Sequence, residues 1–230
     1  MKHKLFLLFL SVAILLGLSM TALASTLTLT FESGSGNYPP GGGPPTGAYH
    51  LMLSDGATSQ AVNLICDDYA ASVSWHETWQ VTEHSINDLS GAKFGNNVQT
   101  YAEALWIADD MLTHPGMPGG QVSTDQYAIW KLFDTNLSLG YVQSIGVNGV
   151  QAELDSAMAW WTNICQPNET ACLAGLADLI IYTPVPGTQV PERDGPPQEF
   201  IGTPEPASMF LLGSFLSLAG GLLSKKTRRA

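Results

Sequence analysis

Two uncharged apolar segments, one at each end of the chain, limit the part that can fold into a water-soluble domain. The first runs from Leu5 to Leu18 after a basic start, and the small residues Ala22 and Ala24 follow it. This order is typical of a secretory signal peptide over residues 1–24. A retained membrane anchor is the alternative, but the run is shorter than the roughly 20 residues that cross a bilayer. We therefore expect an exported protein.

The second apolar segment, at 207–223, follows the triplet Pro204-Glu205-Pro206. Four basic residues come after it: Lys225, Lys226, Arg228 and Arg229. An ordinary C-terminal anchor is one interpretation, because the segment is about long enough to span and the basic cluster would stay cytoplasmic. The three parts in this order, over residues 204–230, closely resemble a PEP-CTERM sorting signal. That resemblance implies transient anchoring in the inner membrane, cleavage by an exosortase-like enzyme, and a final place at the cell surface or outside the cell.

The region between these ends, residues 25–203, has about the size of one extracytoplasmic domain. It keeps only three of the nine Lys and Arg, against nearly all of the twenty Asp and Glu. Contacts with phosphates or anionic membranes need clustered basic side chains. We therefore expect no nucleic-acid partner. The acidic balance suits an extracellular protein or one that binds cations.

The hydrophobic period changes along this region. Four segments alternate like strands: 26–31, 48–53, 61–66 and 77–81. Three later segments repeat with helical spacing: 98–111, 127–133 and 150–161. Residues 33–47, of which ten in fifteen are Gly or Pro, predict a mobile loop or linker. Short closing strands at 179–182 and 199–201 enclose a Pro-rich stretch at 184–197. This order of strands, then helices, then strands predicts an α+β domain, with helices packed on a β-sheet or sandwich.

The three cysteines should pair where they can, because the compartment outside the cytoplasm is oxidising. Cys165 and Cys172 are separated by a turn-prone stretch that contains Pro167 and Asn168, and we predict a local disulfide between them. That pairing leaves Cys66 alone. It could be a buried thiol, half of an intermolecular bridge, or a chemically active residue.

Two short motifs resemble those of the thioester domains of bacterial surface adhesins. Cys66 ends a predicted strand in Leu64-Ile65-Cys66-Asp67, and Gln126 begins Gln126-Tyr127-Ala128-Ile129-Trp130 about sixty residues later. The resemblance covers roughly residues 48–135. It implies that the Cys66 sulfur and the Gln126 acyl carbon form an internal thioester, with no cofactor and no metal. It also implies a covalent binder rather than an enzyme, whose protein or polysaccharide partner supplies an amine or a hydroxyl.

These residue types suit that chemistry. A cysteine thiolate that attacks a Gln carboxamide expels ammonia and leaves an activated acyl group. Because an amide is a poor electrophile, the fold must hold sulfur and carbon together and polarise the carbonyl oxygen. Asp125 departs from the family pattern. Its carboxylate opposes attack by a thiolate unless it points away or is protonated.

Both residues also have ordinary structural explanations. Ser123 or Thr124 would cap the second helix, and Ser123-Thr124-Asp125-Gln126 fits a capping box that accounts for Gln126. Cys66 would then be a small buried hydrophobe. On this interpretation the chain is a passive structural protein of a biofilm or exopolysaccharide matrix, without a thioester.

Three other site types remain as alternatives. Asp67-Asp68 and Asp109-Asp110 could bind calcium, although neither lies in a spaced acidic loop. His76 and His84, downstream of Cys66, suggest a cysteine protease without any flanking signature. Exposed tryptophans would indicate a carbohydrate-binding surface protein, but the spacing predicts that most of the six lie in the core.

Overall fold

The computed structural model describes residues 26–191 and 195–203. The predicted signal peptide at 1–24 and the predicted sorting tail at 204–230 lie outside the described residues. In the described ranges, no helix is both long and apolar enough to cross a membrane.

Six antiparallel strands form a closed barrel. They are β1 (Leu27–Ser33), β2 (Tyr49–Ser54), β3 (Ser59–Cys66), β4 (Thr78–His84), β5 (Ile180–Pro184) and β6 (Phe200–Gly202). Their order around the barrel is β1-β2-β3-β6-β5-β4, and β4 pairs with β1. The mixed α+β class is confirmed, but the strands close on themselves rather than forming an open sheet or a sandwich. Closure occurs because β5 and β6 pair between β3 and β4 and satisfy both edges.

A helical layer packs on this barrel. It contains α1 (Val98–Thr113), α2 (Gly119–Phe133), α3 (Leu139–Ser144), α4 (Val150–Trp160) and α5 (Glu169–Gly175). A π-helical turn at Trp161–Cys165 and a 3-10 turn at Gln166–Asn168 join α4 to α5. Helices α1 and α2 contact each other and also β3. The helical layer thus covers the end of the strand that carries Cys66.

Helix α2 begins earlier than its apolar pattern predicts. It starts at Gly119, directly after Pro118, so Ser123 lies inside the helix and does not cap it. The Ser123 hydroxyl instead hydrogen-bonds the Thr46 hydroxyl at 2.9 Å. The capping-box explanation of Gln126 is therefore wrong. The sequence pattern did not reveal where this helix begins, because Gly119 and Gly120 have no side chain that could contribute to a helical period.

The Gly- and Pro-rich loop packs across the helices rather than extending as a linker. We call residues 34–47 the strap. The Asn37 side-chain amide donates to the carbonyl oxygen of Gly119 at 3.2 Å. The backbone N–H of Gly41 donates to the carbonyl oxygen of Ile145 at 2.8 Å, and a Cβ on Gly41 would lie only 2.5 Å from the Ile145 Cα. The glycines therefore permit a close approach of the strap to the helical layer.

Candidate functional site

The end of β3 meets the inner face of α2, and this junction holds both residues of the predicted thioester. Cys66 is the last residue of β3, Gln126 lies midway along α2, and both are fully buried. The Gln126 side-chain amide donates to the backbone carbonyl oxygen of Cys66 at 2.5 Å. Two residues that are 60 positions apart in sequence thus share one site, which we call the junction site.

The strap supplies a hydrogen-bond donor to the carboxamide oxygen of Gln126. The backbone N–H of Gly47 donates to Gln126 Oε1 at 3.3 Å. Gly47 has a φ of +96°, and a Cβ there would lie 2.7 Å from Cγ1 of Val122, so only glycine fits. A backbone N–H aimed at a carbonyl oxygen stabilises the negative charge that develops when the carbon is attacked. This role was not predictable from the sequence, because a backbone donor leaves no mark in a side-chain pattern.

The Cys66 sulfur sits against the backbone of Asp68. Its Sγ lies 3.4 Å from the carbonyl oxygen and 3.4 Å from the N–H of Asp68. Burial raises the pKa of the Cys66 thiol well above its usual value, and the charge of Asp67 adds to that rise. The backbone N–H of Asp68, which points at the sulfur, partly opposes that rise. Because burial penalises only the charged form, the site favours a neutral thiol or an acylated sulfur over a thiolate.

Asp125 faces another helix. Its Oδ1 accepts from the Gln121 side-chain amide at 2.6 Å. Burial, and then the nearby charge of Glu153 on α4, raise the pKa of Asp125 to about 7. Neighbouring residues of an α-helix point about 100° apart, so Asp125 and Gln126 face different surroundings. Because the Asp125 side chain points away from Gln126 and is partly protonated, it places less negative charge near the Gln126 acyl carbon.

Two buried carboxyl groups lie beside the junction site. Burial raises the pKa of Asp67 well above its usual value, and the charge of Glu199 raises it further. As a carboxylate, Asp67 would have no donor for either oxygen, whereas a protonated Asp67 hydrogen-bonds Glu199. Glu199 also accepts from the Tyr101 hydroxyl at 2.7 Å and from the N–H of Lys93 at 2.9 Å. This network fixes the segment that directly follows Cys66.

The acidic pairs named as calcium candidates have other partners. Within Asp67-Asp68, the first carboxyl contacts Glu199 and the second forms an ion pair with Lys93. Asp109-Asp110 is exposed, and Asp110 Oδ1 lies 2.9 Å from Nδ1 of His114. Within residues 26–191 and 195–203, no group of three or more His, Cys, Asp or Glu side chains is placed to hold a metal ion.

The two histidines of the protease alternative lie away from the buried thiol. His76 Nδ1 is 3.5 Å from Oε2 of Glu32, and the His76 side chain is largely exposed. His84 Nε2 lies 3.0 Å from the Thr82 hydroxyl. The structure therefore brings neither histidine into the junction site with Cys66.

The tryptophans are mostly packed inside the protein, as predicted. Trp79, Trp130 and Trp161 are buried, and Trp106 and Trp160 stack on each other with ring centroids 5.5 Å apart. Among the six, only Trp75 is largely exposed, at 72%. No row of exposed indoles therefore offers a flat sugar-binding face within the described part of the chain.

The structure joins Cys165 and Cys172 in a disulfide where the helical layer ends. Cys66 is the free cysteine and is buried. The junction-site sulfur is therefore not consumed by an internal disulfide.

A cavity of about 380 Å³ opens beside the junction site. The strap and the start of β2 form one side of it, and the end of α1 and the start of α2 form the other. Gly47 and Val122 both line this cavity. Val122 precedes Gln126 by one helical turn on the same face of α2. The cavity therefore lies next to the acyl group that a thioester would activate.

No protein-family model matches the chain, and no curated protein or solved structure is significantly similar to it. A function for the chain consequently rests on the geometry of the junction site and on the sequence motifs that led to it.

Proposed function

We propose that this chain is an exported attachment protein, and not an enzyme, in which Cys66 and Gln126 form an internal thioester that captures a nucleophile-bearing partner. One observation carries the proposal. The Gln126 carboxamide is buried beside Cys66, with its nitrogen on the Cys66 backbone and its oxygen on the Gly47 N–H. The resemblance of the two motifs to bacterial thioester domains supports the same conclusion.

Bond formation needs only groups that the junction site already holds. The Cys66 sulfur attacks Cδ of Gln126, the carbon–nitrogen bond breaks, and the nitrogen leaves as ammonia with the thiol proton. The Gly47 N–H stabilises the oxygen during attack. Proximity of two fixed groups compensates for the small fraction of thiolate, and the reaction has to occur only once per molecule. The scheme requires neither a metal nor a cofactor.

Capture consumes the thioester. An amine or hydroxyl of the partner attacks Cδ of Gln126, the carbon–sulfur bond breaks, and the proton passes to the sulfur. An amide or ester then links the partner to Gln126, and Cys66 returns as a thiol. Because each molecule reacts once, the protein is a single-use covalent adhesin.

We place this activity at the cell surface or in the extracellular matrix. The support is the signal peptide at 1–24 and the tail at 204–230, with its Pro204-Glu205-Pro206 triplet and basic end. An exosortase-like enzyme at the inner membrane would read and cleave that tail. The acidic composition between the two ends agrees with an extracellular setting.

A passive structural role in a biofilm or exopolysaccharide matrix is the second candidate, and one observation favours it. Both polar ends of the Gln126 side chain already have partners, so the residue can tie the strap, β3 and α2 together without any covalent bond. On that account Cys66 remains an ordinary buried thiol.

Methylamine separates the two candidates, because it is small and reacts with thioesters. The full-length chain and its Cys66→Ala, Gln126→Ala and Gln143→Ala variants would be incubated with labelled methylamine. Gln143 lies on α3 and is exposed, so its variant is the matched control. We expect label on Gln126 in the wild type and in Gln143→Ala, and none in the other two. A wild type without label would favour the passive role.

A further inference from the structure

The lining of the cavity beside the junction site contains polar and apolar side chains but no carboxylate, lysine or arginine among the described residues. Its polar side chains are Ser35, Asn37, Thr46, His50, Asn63 and His114, and the rest of its wall is glycine or apolar. Within residues 26–191 and 195–203, no Lys, Arg, Asp or Glu side chain lines it. This is unusual on a chain whose acidic residues outnumber its basic ones by twenty to nine. The lining therefore offers hydrogen bonds and apolar contacts but no carboxylate that could pair with an ammonium group.

Such a lining distinguishes between an amine and a hydroxyl, the two nucleophiles that react with a thioester. A lysine ammonium held in a cavity needs a carboxylate partner, because an unpaired charge loses its hydration. A sugar hydroxyl needs only polar groups that donate and accept, and the carbon faces of a sugar pack on apolar side chains. Within this lining, Nδ1 of His50 already pairs with Oδ1 of Asn63 at 2.6 Å, which fixes the imidazole at the cavity wall. The cavity chemistry thus fits a hydroxylated, uncharged ligand.

We infer that this cavity is the docking site for a neutral saccharide unit of a polysaccharide, one hydroxyl of which becomes ester-linked to Gln126. The inference rests on the proposed thioester and names the class of its partner. The volume of about 380 Å³ lies within the range of about 300–1,000 Å³ that is usual for small-molecule pockets.

The path from the cavity to the acyl carbon runs past Gly47. This residue separates the cavity from Gln126, and it has no side chain to block the way. Because Gln126 is fully buried, the strap must move before a partner can react. Ser35, Asn37, Thr46 and Gly47 belong to both the strap and the cavity wall. A saccharide that contacts these residues binds the element that has to open.

The transfer step is balanced without another reactant. The saccharide hydroxyl oxygen attacks Cδ of Gln126, a carbon–oxygen bond forms, and the carbon–sulfur bond to Cys66 breaks. The hydroxyl proton ends on the Cys66 sulfur. The products are an ester and a free thiol.

The test compares Ala48, which directly precedes β2, with Ala61 on β3. Ala48 lines the cavity, whereas Ala61 is exposed on β3 outside it, so Ala48→Leu fills the cavity and Ala61→Leu is the matched control. Each full-length chain would be offered a neutral glucose oligosaccharide, a lysine-containing peptide or methylamine. Mass spectrometry of peptic peptides would then measure adducts on Gln126. We expect an ester with the oligosaccharide, and a ratio of ester to methylamine adduct that falls about tenfold in Ala48→Leu but not in Ala61→Leu.

Three results would overturn the inference, and they are distinguishable. Methylamine and peptide adducts without any saccharide ester would leave the thioester standing and show that the partner is a protein amine. Absence of every adduct would remove the thioester and the docking site together. An ester that forms equally well in Ala48→Leu would show that the saccharide docks elsewhere.

Discussion

The backbone N–H of Gly47 donates to the side-chain oxygen of Gln126 across 79 positions of the sequence. This bond connects the strap to the helix that carries the acyl group. It gives the strap two roles in our account, since it polarises the carbonyl during thioester formation and covers the thioester afterwards. Variants of Gly47 and Asn37 separate those roles from simple structural support.

Gly47→Ala should reduce thioester formation strongly. The new Cβ would meet Val122 at 2.7 Å and would push the N–H away from Gln126. Loss of one such donor costs about 10²–10³ in rate in enzymes that depend on it. The measurement is the fraction of chain that incorporates methylamine at Gln126.

Gly56→Ala is the control for backbone strain alone. Gly56 also has a positive φ, of +85°, but a Cβ there meets nothing within 4 Å. We expect both variants to lose about 1 kcal/mol of folding free energy from the strained conformation. Equal methylamine incorporation in the two variants would contradict the role given to Gly47.

Asn37→Ala should speed the reaction of the thioester with methylamine. The Asn37 amide donates to Gly119 and Ser123 of α2, and these bonds hold the strap on that helix, while its third bond, to Thr46, lies within the strap. Their removal should favour local opening by about 1–2 kcal/mol, which corresponds to roughly tenfold faster capture. The rate would be followed by time-resolved mass spectrometry of the purified chain.

Asn136→Ala is the matched control for that experiment, because Asn136 is exposed on the connection after α2. Its capture rate should equal that of the wild type. A slower rate in Asn37→Ala than in the wild type would show that the strap is not the barrier to the nucleophile.

Asp125→Asn should remove a pH dependence of stability. Burial and Glu153 raise the pKa of Asp125 from 3.8 to about 7, so the folded state favours the protonated form. The stability that this group contributes is fully present below pH 3.8 and is lost as the pH rises to about 7. The variant should therefore be more stable than the wild type at pH 7.5, by at most about 4 kcal/mol. Thermal unfolding at pH 5 and pH 7.5 measures this difference.

The exposed Asp109 provides the comparison for that titration. Asp109→Asn should leave the difference in melting temperature between the two pH values as in the wild type. If Asp125→Asn changes that difference no more than Asp109→Asn does, the carboxyl of Asp125 is not held protonated by its surroundings.

Hydrophobic period and the order of the segments predicted the mixed α+β class and most strands and helices. The six strands lie close to their predicted positions, because alternating residues such as Leu51 and Leu53 must face the barrel interior. Barrel closure was not predictable, since the pairing of β3 with β6 joins segments more than a hundred residues apart and leaves no local pattern.

The candidate site was predicted in part. Motif resemblance identified Cys66 and Gln126, and the structure places them in one buried junction. The start of α2 was missed, because Gly119 and Gly120 are weak helix formers. The contribution of Gly47 and the contact between the carboxyl groups of Asp67 and Glu199 were also missed, since both depend on tertiary contacts.

The most direct test is the mass of the peptic peptides that contain Cys66 and Gln126, prepared at acid pH from the untreated full-length chain. We predict one linked species, lighter than the sum of the two unmodified peptides by one ammonia. This species should be absent from Cys66→Ala and should separate after methylamine treatment. Two unlinked peptides, each with its unmodified mass and with Gln126 as an intact carboxamide, would contradict the central claim.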